Sequence, residues 1–199
     1  TLTEEAPEAM NIGHQYASLL AQIGQYGEAL GILQRILITT RKIFDDENRD
    51  TLATLHSIAV IMADIGRTED AIAAYKYILA TLNKQVSPAN PERLSVLNNL
   101  STAQLAIGHL DEALNGINEV VRLRTVSLGP NHSLTLLSRS NRGAVLNAFR
   151  RYPEAIAEHR EVYALRKQIR GAGHPETLKS LHNLAAALSD HAEFPEARN

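Results

Sequence analysis

Two histidines, a glutamate and an asparagine near the C-terminus are residue types suited to metal binding or proton transfer. His174 and His182 lie in GHPETLKSLHNLAAAL, residues 173–188, together with Glu176 and Asn183. A metal site needs two to four ligands converging at about 2.0–2.2 Å from one ion, and acid–base chemistry needs a group within hydrogen-bond reach of its substrate. The alternatives are that these residues hold a scaffold together or line a surface for a partner.

The rest of the sequence gives the chemical interpretations little support. The chain has 8 histidines and no cysteine, which excludes disulfides and thiolate metal sites. It contains no H-E-x-x-H, no G-x-S-x-G and no Gly-rich phosphate loop. We therefore expect no catalytic residue, no metal site and no cofactor.

Composition narrows the class of partner. Of the 199 residues, 44% are hydrophobic and 21% are charged, which is typical of a folded soluble protein. The formal net charge of −2 gives no reason to expect nucleic acid or an anionic membrane. No stretch approaches the roughly 18 apolar residues of a membrane span. We expect a cytoplasmic protein, with which the lack of cysteine is compatible.

An internal repeat of 42 residues organises the chain. Pairs of an acidic residue and alanine recur at this interval without a gap: Glu28-Ala29, Asp70-Ala71, Glu112-Ala113, Glu154-Ala155 and Glu196-Ala197. Small residues recur in the same register at Ala17, Ala59, Ser101, Gly143 and Ala185. Agreement in several columns identifies a row of similar structural units.

Each unit has the pattern of two helices. Apolar residues follow helical spacing in the first half, as in Leu52, Leu55, Ala59 and Met62 or in Leu178, Leu181, Ala185 and Leu188, and again in the second half, as in Ala71, Tyr75 and Ile78. Gly24, Gly66 and Gly108 stand where the first helix must end in a left-handed residue. The pattern predicts a helix of roughly sixteen residues, a tight turn, a second helix of similar length and a longer connection.

One such helix pair cannot bury its apolar face alone, so the units must stack. We therefore predict an all-α fold, an α-solenoid of stacked antiparallel helix pairs, as a single array over residues 1–199. The predicted units are approximately 8–47, 50–89, 92–131, 134–173 and a partial 176–199. Because the chain starts in a connection between repeats and stops a few residues into the second helix of the fifth unit, we expect the natural protein to continue beyond both ends.

The spacing small–x₆–Gly–x₄–Ala, seen in Ala17, Gly24 and Ala29, resembles the tetratricopeptide repeat. The 42-residue period and the phrase GPNHSLTLLSRSNRGAVL, echoed by GHPETLKSLHNLAAAL, resemble the long variant found in kinesin light chains. The resemblance covers essentially the whole chain and is weaker in the first two connections, DDENRDTL and SPANPERL. It implies a right-handed superhelix whose first helices line a concave groove that binds extended peptides.

The resemblance also implies which residues face that groove. Asn99, Asn141 and Asn183 match the family's groove asparagine, whereas Gln15 and Ser57 depart from it. The flanking columns add four candidates: His56, Asn98, His182 and Thr102. Amide and imidazole groups suit an extended peptide, whose N–H and C=O groups need partners once they leave water. The competing interpretation is that the asparagines fix neighbouring units by bonding to backbone.

The fourth unit carries two arginines in columns that are apolar elsewhere. Arg139 and Arg142 replace residues such as Leu97 and Leu100. A guanidinium there must find a carboxylate or reach solvent. One hypothesis is pairing with Glu158 or Glu161 of the same unit, and the other is an anion contact for an acidic residue or carboxy-terminus of a partner.

Together these observations predict a non-catalytic module that binds a protein or peptide, and neither nucleic acid nor membrane. The rival hypothesis is structural. In that case the array forms a homo-oligomer, or serves as the regulatory sensor arm of a larger enzyme or signalling NTPase.

Overall fold

The computed structural model of the chain describes the backbone of residues 2–193 and the side chains of residues 9–192. Within these residues there are nine α-helices and no strand. The helices are α1 (Leu2–Gln22), α2 (Tyr26–Ile43), α3 (Arg49–Asp64), α4 (Thr68–Gln85), α5 (Pro91–Ala106), α6 (Leu110–Leu128), α7 (Ser133–Ala148), α8 (Tyr152–Arg170) and α9 (Pro175–Glu193). The predicted all-α fold is confirmed.

The helices pack as consecutive pairs in two compact units, residues 1–86 and 87–199. In the first unit α1 packs on α2, α2 on α3 and α3 on α4. In the second unit each helix from α5 to α9 packs on the next, and α5 also contacts α7, as α7 contacts α9. First helices therefore lie side by side within a unit, as a solenoid of stacked pairs requires.

The cores of the pairs use the residues that the periodicity selects. Ala29, Ala71, Ala113 and Ala155 are fully buried in the second helices, and Leu52, Leu94 and Leu136 are buried in the first. The predicted stripe of α9 behaves differently: Leu178, Leu181 and Leu188 expose 52%, 43% and 43% of their surface. The second helix predicted to cover that stripe starts near Pro195, outside the described residues.

Helix boundaries follow from local chemistry. Asn48 and Asn90 accept hydrogen bonds from the first backbone N–H groups of α3 and α5 through their side chains. His132 and His174 do the same with Nδ1, accepting from the N–H groups of Leu134 and Glu176 at 3.2 Å. The repeated histidines of the connections are thus helix caps. At the other extreme of the chain, α1 begins at Leu2, earlier than the unit start predicted at residue 8.

The tight turn inside each pair uses a left-handed residue. Gly24, Gly66 and Gly108 have φ of +82°, +83° and +80°, as predicted from their positions. In the fourth pair this place is taken by Arg150, whose φ is +59°. For a residue other than glycine, this left-handed conformation costs about 1–2 kcal/mol.

We therefore expect Arg150→Gly to raise the free energy of unfolding of the α7–α8 pair by about 0.5–1 kcal/mol, since part of the relief is offset by the greater freedom of glycine in the unfolded chain. The reciprocal control is Gly66→Ala, where an added Cβ meets no atom within 4 Å. It should lower stability by about 1 kcal/mol through the backbone alone. Hydrogen exchange of the two turns measures both, and a destabilised Arg150→Gly variant would contradict the strain argument.

Candidate peptide-binding surface

Four of the predicted groove residues come together on α5 and α7. The Asn141 side-chain amide donates to Asn98 Oδ1 at 3.4 Å and to Thr102 Oγ1 at 3.5 Å. The Asn98 amide donates to Asn99 Oδ1 at 3.5 Å. These are long, weak hydrogen bonds, so their groups can exchange them for better-placed partners at little cost. The four side chains form a polar patch, Asn98, Asn99, Thr102 and Asn141, on adjacent first helices.

Within the polar patch, Asn98 differs from the other three. It is 5% exposed, and its Oδ1 accepts a hydrogen bond from Ser138 Oγ at 3.1 Å, across the α5–α7 contact. Asn99 and Asn141 are half-buried and Thr102 is exposed. Asn98 thus links α5 to α7 through a buried hydrogen bond. The other three residues of the polar patch are accessible to solvent.

The remaining groove candidates belong to other helices. His182 is exposed on α9 and Asn183 beside it is half-buried. His56 belongs to the 1–86 unit, where its ring meets Tyr75 edge-on at 5.8 Å between centroids. Burial lowers the pKa of His56 below its ordinary value. An imidazole in this setting is neutral at pH 7 and offers both a donor and an acceptor.

The two arginines of α7 are paired inside their own helix pair. Arg139 donates to Glu158 at 2.9 Å and to Glu161 at 2.5 Å, and Arg142 donates to Glu158 at 2.8 Å. Burial alone would raise the pKa of Glu158, but the bonds from both guanidiniums outweigh it and hold the pKa below its ordinary range. The structure therefore shows the internal pairing. An anion contact at Arg139 and Arg142 stays a prediction, and it would have to compete with Glu158.

Arg124 and Arg166 are two buried arginines that were not predicted from the sequence. Arg124 Nη1 donates to Ser138 Oγ at 2.7 Å and to the Leu134 carbonyl at 3.2 Å, and Arg166 Nη1 donates to Ser180 Oγ at 2.8 Å and to the Glu176 carbonyl at 3.3 Å. Both arginines are 3–4% exposed. Each joins a second helix to the first helix of the next pair. The signal was available, because Arg124 and Arg166 are 42 residues apart, as are Ser138 and Ser180.

Neither metal chemistry nor a membrane span is suggested by the described part of the chain. Across residues 9–192, no three histidine, aspartate or glutamate side chains are grouped so as to hold a metal ion. Over the same stretch, no helix is both long and apolar enough to cross a bilayer.

Comparison with known proteins places the chain in a class. The tetratricopeptide repeat family model matches residues 8–84, 92–168 and 134–199. The chain therefore belongs to the tetratricopeptide repeat family. A search of curated proteins finds no significant match.

Solved structures identify the variety of repeat. A Podosopora anserina protein of the kinesin light chain type, with nearly identical repeats, is 26% identical, and the match covers 96% of this chain and 91% of that one. The TM-score is 0.79 for one structure of it and 0.80 for a structure of a point variant. BtubC (BKLC) from P. vanneervenii has the same fold at 15% identity, with a TM-score of 0.74 and coverage of 98% and 85%. The chain is thus a kinesin light chain-like repeat protein, a class that serves generally as a protein-interaction scaffold without catalysis.

Proposed function

We propose that the chain captures an extended segment of a partner protein along its first helices, through Asn99, Asn141 and Asn183. The observation that carries the proposal is the polar patch. Its amides lie at the contact of α5 with α7, where Asn99 and Asn141 are half-buried, and the bonds between its side chains are 3.4–3.5 Å long. A peptide backbone offers each amide a shorter and better-aligned bond.

Neutral amides suit the binding of an extended peptide because they hydrogen-bond to the backbone of the ligand whatever the charge of its side chains. Each carboxamide has two donors and one acceptor group, so it can pair with both the N–H and the C=O of an extended chain. Exposed His182 and the hydroxyl of Thr102 flank the asparagines and would contribute to the choice of sequence. The expected ligand is therefore an extended segment with unpaired backbone groups.

The double variant Asn99→Ala/Asn141→Ala tests the proposal on a peptide array. Removing two hydrogen bonds to a ligand should weaken binding by about tenfold or more. The matched control is Asn115→Ala/Asn118→Ala, which makes the same chemical change at exposed positions of the second helix α6.

The control should bind as the wild type does, and circular dichroism should show all three proteins folded. Equal binding by the Asn99→Ala/Asn141→Ala variant and the wild type would refute capture by these asparagines.

A further inference from the structure

A cavity of about 240 Å³ lies where the start of α7, the end of α8 and the start of α9 meet. Two guanidiniums line it, from Arg166 and Arg170, together with the carboxylate of Glu176 and the residues 131–133 that open α7. It lies at the connections between helix pairs, and no residue of the polar patch lines it. Of the residues that line the cavity, Glu176 was considered from the sequence for metal binding or proton transfer, but neither arginine was.

One buried nitrogen of Arg166, Nε, lacks a hydrogen-bond acceptor among the described residues. Arg166 as a whole is 4% exposed, and its Nη1 is hydrogen-bonded. Its repeat equivalent, Arg124, has one acceptor more, because Arg124 Nη2 donates to Ser95 Oγ at 3.3 Å. The residue 42 positions after Ser95 is Leu137, which cannot accept a hydrogen bond. A buried N–H without an acceptor is costly and points to a missing partner.

The second guanidinium is held only loosely. Arg170 Nε lies 3.4 Å from Glu176 Oε2, and the two side chains are 43% and 45% exposed. Charge-assisted N–H···O bonds are normally about 2.7–2.9 Å long, and exposed ion pairs contribute little to stability. Arg170 can therefore turn from Glu176 to another carboxylate without loss of fold.

The charge of the cavity favours a monoanion. Two guanidiniums and one carboxylate leave a balance of +1. A dianion such as phosphate would overbalance this charge and repel Glu176. The planar fork of a guanidinium matches the two oxygens of a carboxylate.

We propose that this cavity binds a carboxylate of a partner, between the guanidiniums of Arg166 and Arg170. The carboxylate supplies an acceptor to the unpaired Nε of Arg166 and replaces Glu176 as the partner of Arg170. The group comes either from an aspartate or glutamate side chain or from a chain terminus. The site is independent of the peptide-binding asparagines and stands or falls without them.

Titration followed by the ¹⁵N–¹H signals of arginine Nε tests the site in the folded chain. Acetate, at constant ionic strength, should shift the Arg166 and Arg170 signals saturably, with a Kd on the order of millimolar. The Arg124 signal should stay in place, because Arg124 does not line the cavity and its Nη1 and Nη2 already have acceptors. N-acetylglycine presents a terminal carboxylate and N-acetyl-aspartate diamide a side-chain carboxylate, so the tighter of the two identifies the source.

Three substitutions at exposed or half-exposed positions give directional expectations. Arg170→Gln should weaken acetate binding about tenfold, and Glu176→Gln should strengthen it, because the competing carboxylate is gone. Leu137→Ser places a hydroxyl at the position equivalent to Ser95, which accepts from Arg124. It should also weaken acetate binding, because Arg166 then gains an acceptor within the protein. Circular dichroism confirms that each variant is folded.

Absence of a saturable shift at Arg166 would overturn the proposal. So would equal shifts from acetate, chloride and phosphate, since a general counterion effect does not discriminate. A Glu176→Gln variant that bound acetate no better than the wild type would remove Arg170 from the site and with it the proposed pair.

Discussion

Replacing Glu158 with alanine is expected to destabilise the α7–α8 pair by about 3–5 kcal/mol. The Glu158 carboxylate is the shared acceptor of Arg139 and Arg142, and its side chain is only 10% exposed. Without it, Arg142 loses its hydrogen-bonded carboxylate and Arg139 keeps only the contact with exposed Glu161. Arg139, whose side chain is 10% exposed, is then only partly compensated, and a buried guanidinium short of acceptors is costly. Hydrogen exchange of α7 and α8, or urea unfolding, measures the loss.

Two further variants separate the ionic cluster from a general effect of losing a glutamate. Glu154→Ala removes a carboxylate paired with Arg151 on the same helix, where both side chains are exposed. It should leave stability unchanged within error. The triple variant Arg139→Leu/Arg142→Leu/Glu158→Ala restores the residue types of the apolar units and should be close to wild type in stability. A triple variant as unstable as Glu158→Ala would contradict this account.

Gly143→Val is expected to cost about 2–3 kcal/mol through overpacking. A Cβ on Gly143 would lie 2.5 Å from Cε1, 2.7 Å from Nε2 and 2.9 Å from Nδ1 of His159, a residue that is only 3% exposed. Corresponding pairs elsewhere combine a slightly larger residue with an aliphatic or aromatic one, as Ser101 does with Ile117. The single change Gly143→Ala should likewise destabilise, whereas the double variant Gly143→Ala/His159→Ile should be close to wild type, and this non-additivity would demonstrate the contact.

The same histidine gives stability a pH dependence of known sign. Burial lowers the pKa of His159 below 6.5, and the negative charge of Glu158 only partly opposes this. Because the unfolded chain then takes up the proton more readily, the contribution of His159 is complete above about pH 6.5 and is lost as the pH falls towards the folded pKa. His14 and His56 have pKa values lowered in the same direction by burial. Unfolding between about pH 7.5 and 5.5 should depend less steeply on pH in His159→Ile than in the wild type.

The architecture was predictable because the repeat multiplies weak local signals. One glycine after an apolar stripe proves little, but Gly24, Gly66 and Gly108 in a single column indicate the same turn each time. Comparison of the repeats also predicted that Arg139 and Arg142 need carboxylates, because the equivalent residues of the other units are apolar. It offered both internal pairing and a ligand as the source, because a sequence does not say which side chain reaches which.

Burial of individual polar residues was harder to predict. Asn98 shares its column with His56 and His182, which are half-buried and exposed, yet it is buried because Ser138 of the neighbouring helix bonds to it. Small rotations of one helix against the next decide such contacts, and they are set by packing rather than by periodicity. Arg124 escaped notice for the same reason, since a long side chain can end in water or beneath a neighbouring helix.

The arginine bridges between successive pairs have a mechanical consequence. Contacts between apolar side chains are not directional, so they tolerate a small shift of one helix along another. The hydrogen bonds of Arg124 do not, because its Nη1 must stay within reach of the Ser138 hydroxyl and the Leu134 carbonyl of α7 at the same time. Arg166 imposes the same condition on α9. Each arginine therefore restricts sliding of the two helices that it joins. When residues 110–193 are stretched or twisted, the α6–α7 and α8–α9 contacts should be stiffer than contacts made by apolar side chains alone.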